Sequence, residues 1–143
     1  MALVRLNRYE EARDWLFEGT KVHPERPEFR LALARLLAAA PDDRVRDGRR
    51  AMAMTDELLK AQRGFDVGEA MAMALAEVGR YEEAVTWQRE AIAAATEGGR
   101  REFIKSMSAN LALYERRHPC RTPWSDDDPV NAPAPKTNAE PRR

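Results

Sequence analysis

Arg8-Tyr9-Glu10-Glu11-Ala12 returns letter for letter as Arg80-Tyr81-Glu82-Glu83-Ala84, 72 residues later, and each copy is followed three residues on by a tryptophan, Trp15 and Trp87. Five shared residues in this order point to a repeated unit, and 72 is close to twice the ~34-residue period of a helix-turn-helix repeat. A middle copy is therefore expected between them. Asn7 and Gly79 stand immediately ahead of the two motifs, and these residue types best tolerate the left-handed backbone with which a helix ends before the chain turns back. Ala12 and Ala84 are small enough for the second helix of each unit to lie close against the first. Trp15, Leu16 and Gly19, and in the other copy Trp87, Gln88 and Ala91, carry the buried stripe onward at helical spacing. Because the tryptophans repeat with the unit, they read as packing residues and not as stacking platforms for bases.

Working outward, the middle copy begins after Pro24 and Pro27, which stop the preceding helix. Its first helix places Phe29, Leu33, Leu36, Leu37 and Ala40 on one face and ends at Pro41. Asp42 or Asp43 is expected to cap its second helix, which runs to about Lys60 with Ala51 in the close-packing role, followed by Thr55, Leu58 and Leu59. Ala12 and Ala51 are 39 residues apart, whereas Ala51 and Ala84 are 33 apart, so the excess sits in the turn from Pro41 to Gly48. The third copy opens with Val67, Ala70, Met71, Ala74, Leu75 and Val78, an unbroken apolar face at i, i+3, i+4, i+7, i+8 and i+11. Gly98 and Gly99 end its second helix. A further helix carries Ile104, Met107, Leu111 and Tyr114 and finishes at Arg116, Arg117 and Pro119. Its polar outer face, with Arg101, Lys105, Asn110 and Arg117, suits a terminal cap.

The expected organisation is thus all-α: repeats at about 1–26, 27–64 and 65–98, a capping helix at 100–118, and a tail at 119–143. Six of the nine prolines fall in that tail beside Ser125-Asp126-Asp127-Asp128, leaving almost no apolar surface to offset ordering it, so it is expected to be disordered, with Trp124 able to fold back on the cap. Composition agrees with a helical chain. Alanine, leucine and methionine dominate the 43% hydrophobic share, valine and isoleucine are scarce, and aromatics are 7%, which favours helix over strand. The 24 basic and 24 acidic residues cancel, so no net field draws the chain to nucleic acid or to an anionic membrane. Charges interrupt every candidate span. One cysteine, Cys120, forms no internal disulfide, and the first residues lack the apolar run of a signal peptide, so a cytoplasmic location is expected.

With the apolar first helix, Gly79-Arg80-Tyr81-Glu82-Glu83-Ala84 at the turn and small residues along the second helix, the chain resembles the tetratricopeptide repeat family over residues 1–119. Leu36-Leu37-Ala38-Ala39-Ala40-Pro41-Asp42-Asp43, then Arg46-Asp47-Gly48 and Ala51, is similar to a longer-turn variant found in many bacterial repeat proteins, as is Leu113-Tyr114-Glu115 leading to Pro119-Cys120-Arg121. The resemblance implies a right-handed α-solenoid of two and a half helical hairpins plus the cap, and a role in holding a partner protein without catalysis. The alternative is a non-catalytic C-terminal appendage of a larger bacterial enzyme such as a glycosyltransferase or kinase. The chain starts only about two turns before Asn7, so the opening helix of the first copy is half missing. The apolar edge this leaves is expected to be covered by further repeats or by another subunit, which makes self-association through the first copy an expectation.

The partner groove of such an array is the concave surface of the first helices, here Glu28, Leu31, Arg35 and Ala38 beside Asp66, Glu69, Met73 and Glu77. Apolar centres with acidic rims suit a basic or amphipathic peptide, with charge reversal at Glu69 as the probe. The Lys/Arg/Asn clamp with which some family members grip a chaperone's C-terminal carboxylate is missing, and the acidic set would repel one. No catalytic, cofactor or metal site is expected. A closed zinc site needs four ligands, and His118 and Cys120 have only the distant His23 to join them. His118 reads as a residue serving the last carbonyls of the final helix, and Cys120 as a surface thiol or one buried under the tail. Neither histidine sits in a nucleophile-base motif, and Glu10-Glu11 and Glu82-Glu83 lie near helix N-termini, where they favour the macrodipole. Arg44, Arg46, Arg49 and Arg50, offset by Asp42, Asp43 and Asp47, read as a solvated face.

Overall fold

A computed structural model describes residue 3 and residues 6–124; residues 125–143, most of the expected tail, lie outside the described residues. Among the described residues the chain is all-α. Helix α1 spans Tyr9–Val22, α2 Pro27–Ala39, α3 Gly48–Ala61, α4 Phe65–Glu77, α5 Tyr81–Glu97, and, after a single 3₁₀ turn at Arg101–Phe103, α6 Ile104–Glu115. Each α-helix packs on the next, and α2 also packs on α4. No helix among the described residues is long and apolar enough to cross a membrane.

The two copies of the opening motif adopt the same local structure. Asn7 and Gly79 take positive φ, 57° and 85°, and the next residue donates its backbone N–H to a carbonyl earlier in the chain, Arg8 to Leu3 and Arg80 to Leu75 of α4, both at 2.8 Å. This is the left-handed helix stop that satisfies carbonyls otherwise orphaned at a C-terminus. Arg80 then grips Glu83 through two N–H···O bonds of 2.7 and 2.6 Å, and Arg8 grips Glu11 in the same two-point way. Gly99 and Arg117 repeat the positive φ at the ends of α5 and α6.

Helices α2 and α4 form the centre. From Leu33 to Ala40 and from Val67 to Ala76 every residue is buried, as expected of helices covered on more than one side. The stripe of α1 and α5 is narrower: Ala12 and Leu16, and Ala84, Gln88, Ala91 and Ala95. Gly19 lets α1 approach α2, since a Cβ there would stand 2.3 Å from the Phe29 ring.

Four local expectations need correction. Trp15 is 57% exposed, leaning on Phe29 with ring centroids 5.7 Å apart, whereas Trp87 is half-buried and lies beside Gly68 of the preceding helix. The cap of α3 is Asp47, which accepts the Arg50 N–H at 3.1 Å, while Asp42 instead organises the long turn by accepting from the Arg44 N–H and side chain. Val45 tucks into the core beneath that turn. Arg46 is not part of a solvated face: it is mostly buried and donates to the Ala40 and Pro41 carbonyls. Asn110, assigned above to the outer face of the last helix, is buried.

Candidate functional site

The eight residues predicted to line the groove do come from neighbouring helices, Glu28, Leu31, Arg35 and Ala38 on α2 and Asp66, Glu69, Met73 and Glu77 on α4. Half of them are not open to solvent. Arg35 is 9% exposed, Glu69 5%, and Ala38 and Met73 1% each. Residues 119–124, expected to begin a disordered tail, are the reason for part of this, because they pass over the α2/α4 face and pack there.

Three side chains of the helices hold this strap. Arg35 donates from Nε and Nη2 to the Pro123 carbonyl at 3.0 and 2.7 Å. Glu77 accepts from Arg121 Nη1 at 2.7 Å. Asn110 of α6 accepts from the Cys120 thiol at 3.5 Å. Cys120 is fully buried, and Trp124 is nearly so, its ring 5.8 Å from the Arg35 guanidinium. None of residues 119–124 takes part in a backbone–backbone hydrogen bond among the described residues.

The groups that grip the strap are themselves fixed from behind. Glu69 accepts from Arg35 Nη1 at 2.9 Å and from Gln88 Nε2 at 3.3 Å, and Gln88, fully buried on α5, also donates to the Met107 carbonyl at 2.8 Å. Glu77 is held on its other oxygen by Arg46 Nε at 3.2 Å. Gly48 makes room for this: a Cβ there would stand 2.8 Å from the Glu77 side chain. Arg35 and Glu69 are the only charged residues in their long apolar runs and lie 34 positions apart, one repeat. Their pairing offsets the cost of burying either charge alone.

Burial pushes the Cys120 thiol pKa up, against the lowering effect of its Thr122 hydrogen bonds, and holds it in the neutral form. Burial also pushes the Tyr114 phenol well above its ordinary value, reinforced by the neighbouring Cys120 and Glu69. Tyr114 Oη and Gln88 Oε1 have no hydrogen-bond partner among the described residues. His118 is exposed, at the turn just before the strap.

Beside Trp124 lies an open cavity of about 410 Å³, lined among the described residues also by Leu31, Ala32, Phe65 and Phe103 and by the acids Glu28 and Asp66. Arg100 covers both phenylalanines, 5.6 and 5.0 Å from their ring centres. Of the predicted groove, then, Glu28, Leu31 and Asp66 border space that a further ligand could enter, Arg35, Glu69 and Glu77 hold the strap or line the cavity, and Ala38 and Met73 belong to the core. Comparison with family models, with curated proteins and with solved structures finds no match.

Proposed function

We propose that this chain is a tetratricopeptide-type right-handed solenoid of helical hairpins, closed by α6, that holds an extended segment of a partner protein and performs no catalysis. The fold part of the reading is supported by the recurring helix stop at Asn7 and Gly79 and by first helices that pack on each other as well as on their own partners. The observation that carries the binding part is the strap. A six-residue segment without helix or strand lies on the α2/α4 face, gripped by a main-chain carbonyl and by one cationic side chain. Repeat arrays present extended concave surfaces to their partners, and here the face meets the segment through a few of its polar groups. The acid on Glu77 favours a basic partner.

Peptide display against the immobilised full chain tests it. Peptides enriched in basic and aromatic residues are expected, with affinity reduced about tenfold or more by Leu31→Asp, a loss of about 1.4 kcal/mol. Leu31 is only half-buried, so the fold is expected to survive the change, which circular dichroism checks. Glu69→Lys is a poor probe, because it would place two cations in one buried site. Equal binding by wild type and Leu31→Asp would remove the groove from the reading.

A second association is favoured by α1. The exposed large apolar residues among those described, Leu6, Trp15 and Val22, all lie on or next to this helix, and such exposure marks contact surfaces. Self-association through α1 is expected to show as a concentration-dependent sedimentation coefficient that Trp15→Glu abolishes; a monomer at every concentration refutes it.

A further inference from the structure

Taking the α2/α4 face as the partner site proposed above, we infer that residues 119–124 are its exchangeable resident occupant, and that the partner is a segment of the same chemistry. Such a segment has a small buried residue, then a cation for Glu77, then a proline carbonyl for Arg35 followed by an aromatic ring.

The receptor half of this exchange is built without the strap. Arg35 is placed by Glu69, Glu69 by Gln88, and Gln88 by the Met107 carbonyl. Glu77 is placed by Arg46, which is tied to the Ala40 and Pro41 carbonyls. Lifting residues 119–124 away therefore leaves the donors and acceptors where an incoming segment needs them, and preorganisation of this kind lowers the cost of binding. An apolar plug would instead leave a face that collapses.

The occupant half is lightly tied. Residues 119–124 have no backbone–backbone hydrogen bond among the described residues, and they join α6 through Arg117 at φ 61° and the exposed His118. Segments with few such bonds open locally at small fractions of the global stability. Besides its contacts to Arg35, Glu77 and Asn110 and the burial of Cys120 and Trp124, covalent attachment helps keep this one seated by giving it an effective concentration on the order of millimolar. The cavity beside Trp124 provides the starting point for a competitor, since an apolar side chain seated against Leu31 and Phe65 reaches the edge of the indole before any strap contact breaks.

The probe is a fluorescein-labelled peptide with the sequence of residues 118–124, its cysteine replaced by alanine, titrated into the full chain and followed by anisotropy. Wild type is expected to bind weakly. Arg121→Glu, which sets the strap's own cation against Glu77, is expected to bind the same peptide about tenfold or more tighter by removing the tethered competitor. Equal affinity in the two folded proteins overturns the exchange. A second readout needs no variant: maleimide labelling of Cys120 in the unmodified chain. Exchange predicts labelling that rises with urea below the unfolding transition more shallowly than global unfolding does and is faster once display-selected peptide is bound, whereas labelling that follows global unfolding from the lowest urea concentrations overturns it. Selected peptides that bind through Leu31 yet leave Cys120 labelling unchanged also overturn the exchange while leaving the scaffold reading intact. Labelling with that shallow urea dependence but no selectable peptide does the reverse.

Discussion

At the scale of single residues, the interior is decided by one ion pair. Arg35 and Glu69 keep side-chain exposures of 10% and 7%, too little water to solvate either charge alone. Glu69→Ala is therefore expected to destabilise the protein by about 3 kcal/mol in urea unfolding, and the double change Arg35→Leu, Glu69→Leu by clearly less, because removing both partners leaves no buried charge unpaired. The sequence carried the signal for this pair, opposite charges one repeat apart in two otherwise apolar runs. A face-by-face reading of isolated helices placed both on a solvated groove, because it had no means to count the helices that cover them. Cys120 and Tyr114 set the alkaline limit. Both pKa values are raised by burial, so the folded state holds these protons more tightly than the unfolded chain. Their stabilisation is complete below the unfolded values, about 8.5 for cysteine and about 10 for tyrosine, and is lost as pH rises through the folded ones. The melting temperature should fall above about pH 8, and Cys120→Ala should remove the earlier part of that fall.

At the scale of elements, two glycines one helix apart are expected to respond to alanine with opposite sign. Gly79 ends α4 at φ 85°, and a Cβ there meets nothing within 4 Å. The cost of Gly79→Ala is then purely that of the left-handed backbone, about 1 kcal/mol, read from the shift of the urea midpoint. Gly68 lies inside α4, where a Cβ would sit 3.6 Å from Ala91 Cβ. Gly68→Ala should be neutral or stabilising by up to about 1 kcal/mol, since helix propensity improves without a clash. The helices themselves were legible: the periodicity of Val67 to Val78 and the stops at Pro41 and Gly79 correspond to observed boundaries. The start of α3 was not. Three aspartates offer themselves between Pro41 and Gly48, and only the folded turn, with the Asp47 N–H donating to the Leu37 carbonyl at 2.8 Å, selects the third as the cap.

At the scale of the whole molecule, α4 touches α2, α3 and α5, so the helices should unfold together in one transition by circular dichroism. The strap should not wait for them. In a Trp15→Phe, Trp87→Phe background, emission from Trp124 is expected to shift to the red at lower urea than the loss of helix; coincident curves would make the strap an inseparable part of the core. By itself the sequence determined the all-α class, the helix stops, the repeated arginine-glutamate turn and the small residues at which helices approach, because those follow from propensity, periodicity and the conformational needs of glycine and asparagine within a few neighbouring residues. Only the tertiary structure decided which faces are wet. The seating of residues 119–124, the burial of Arg35, Glu69 and Asn110, and the exposure of Trp15 depend on what lies across from each side chain, and segments far apart in the chain supply that. A proline-rich stretch has no periodicity of its own to announce that a carbonyl at Pro123 will meet a guanidinium from Arg35, 88 residues away.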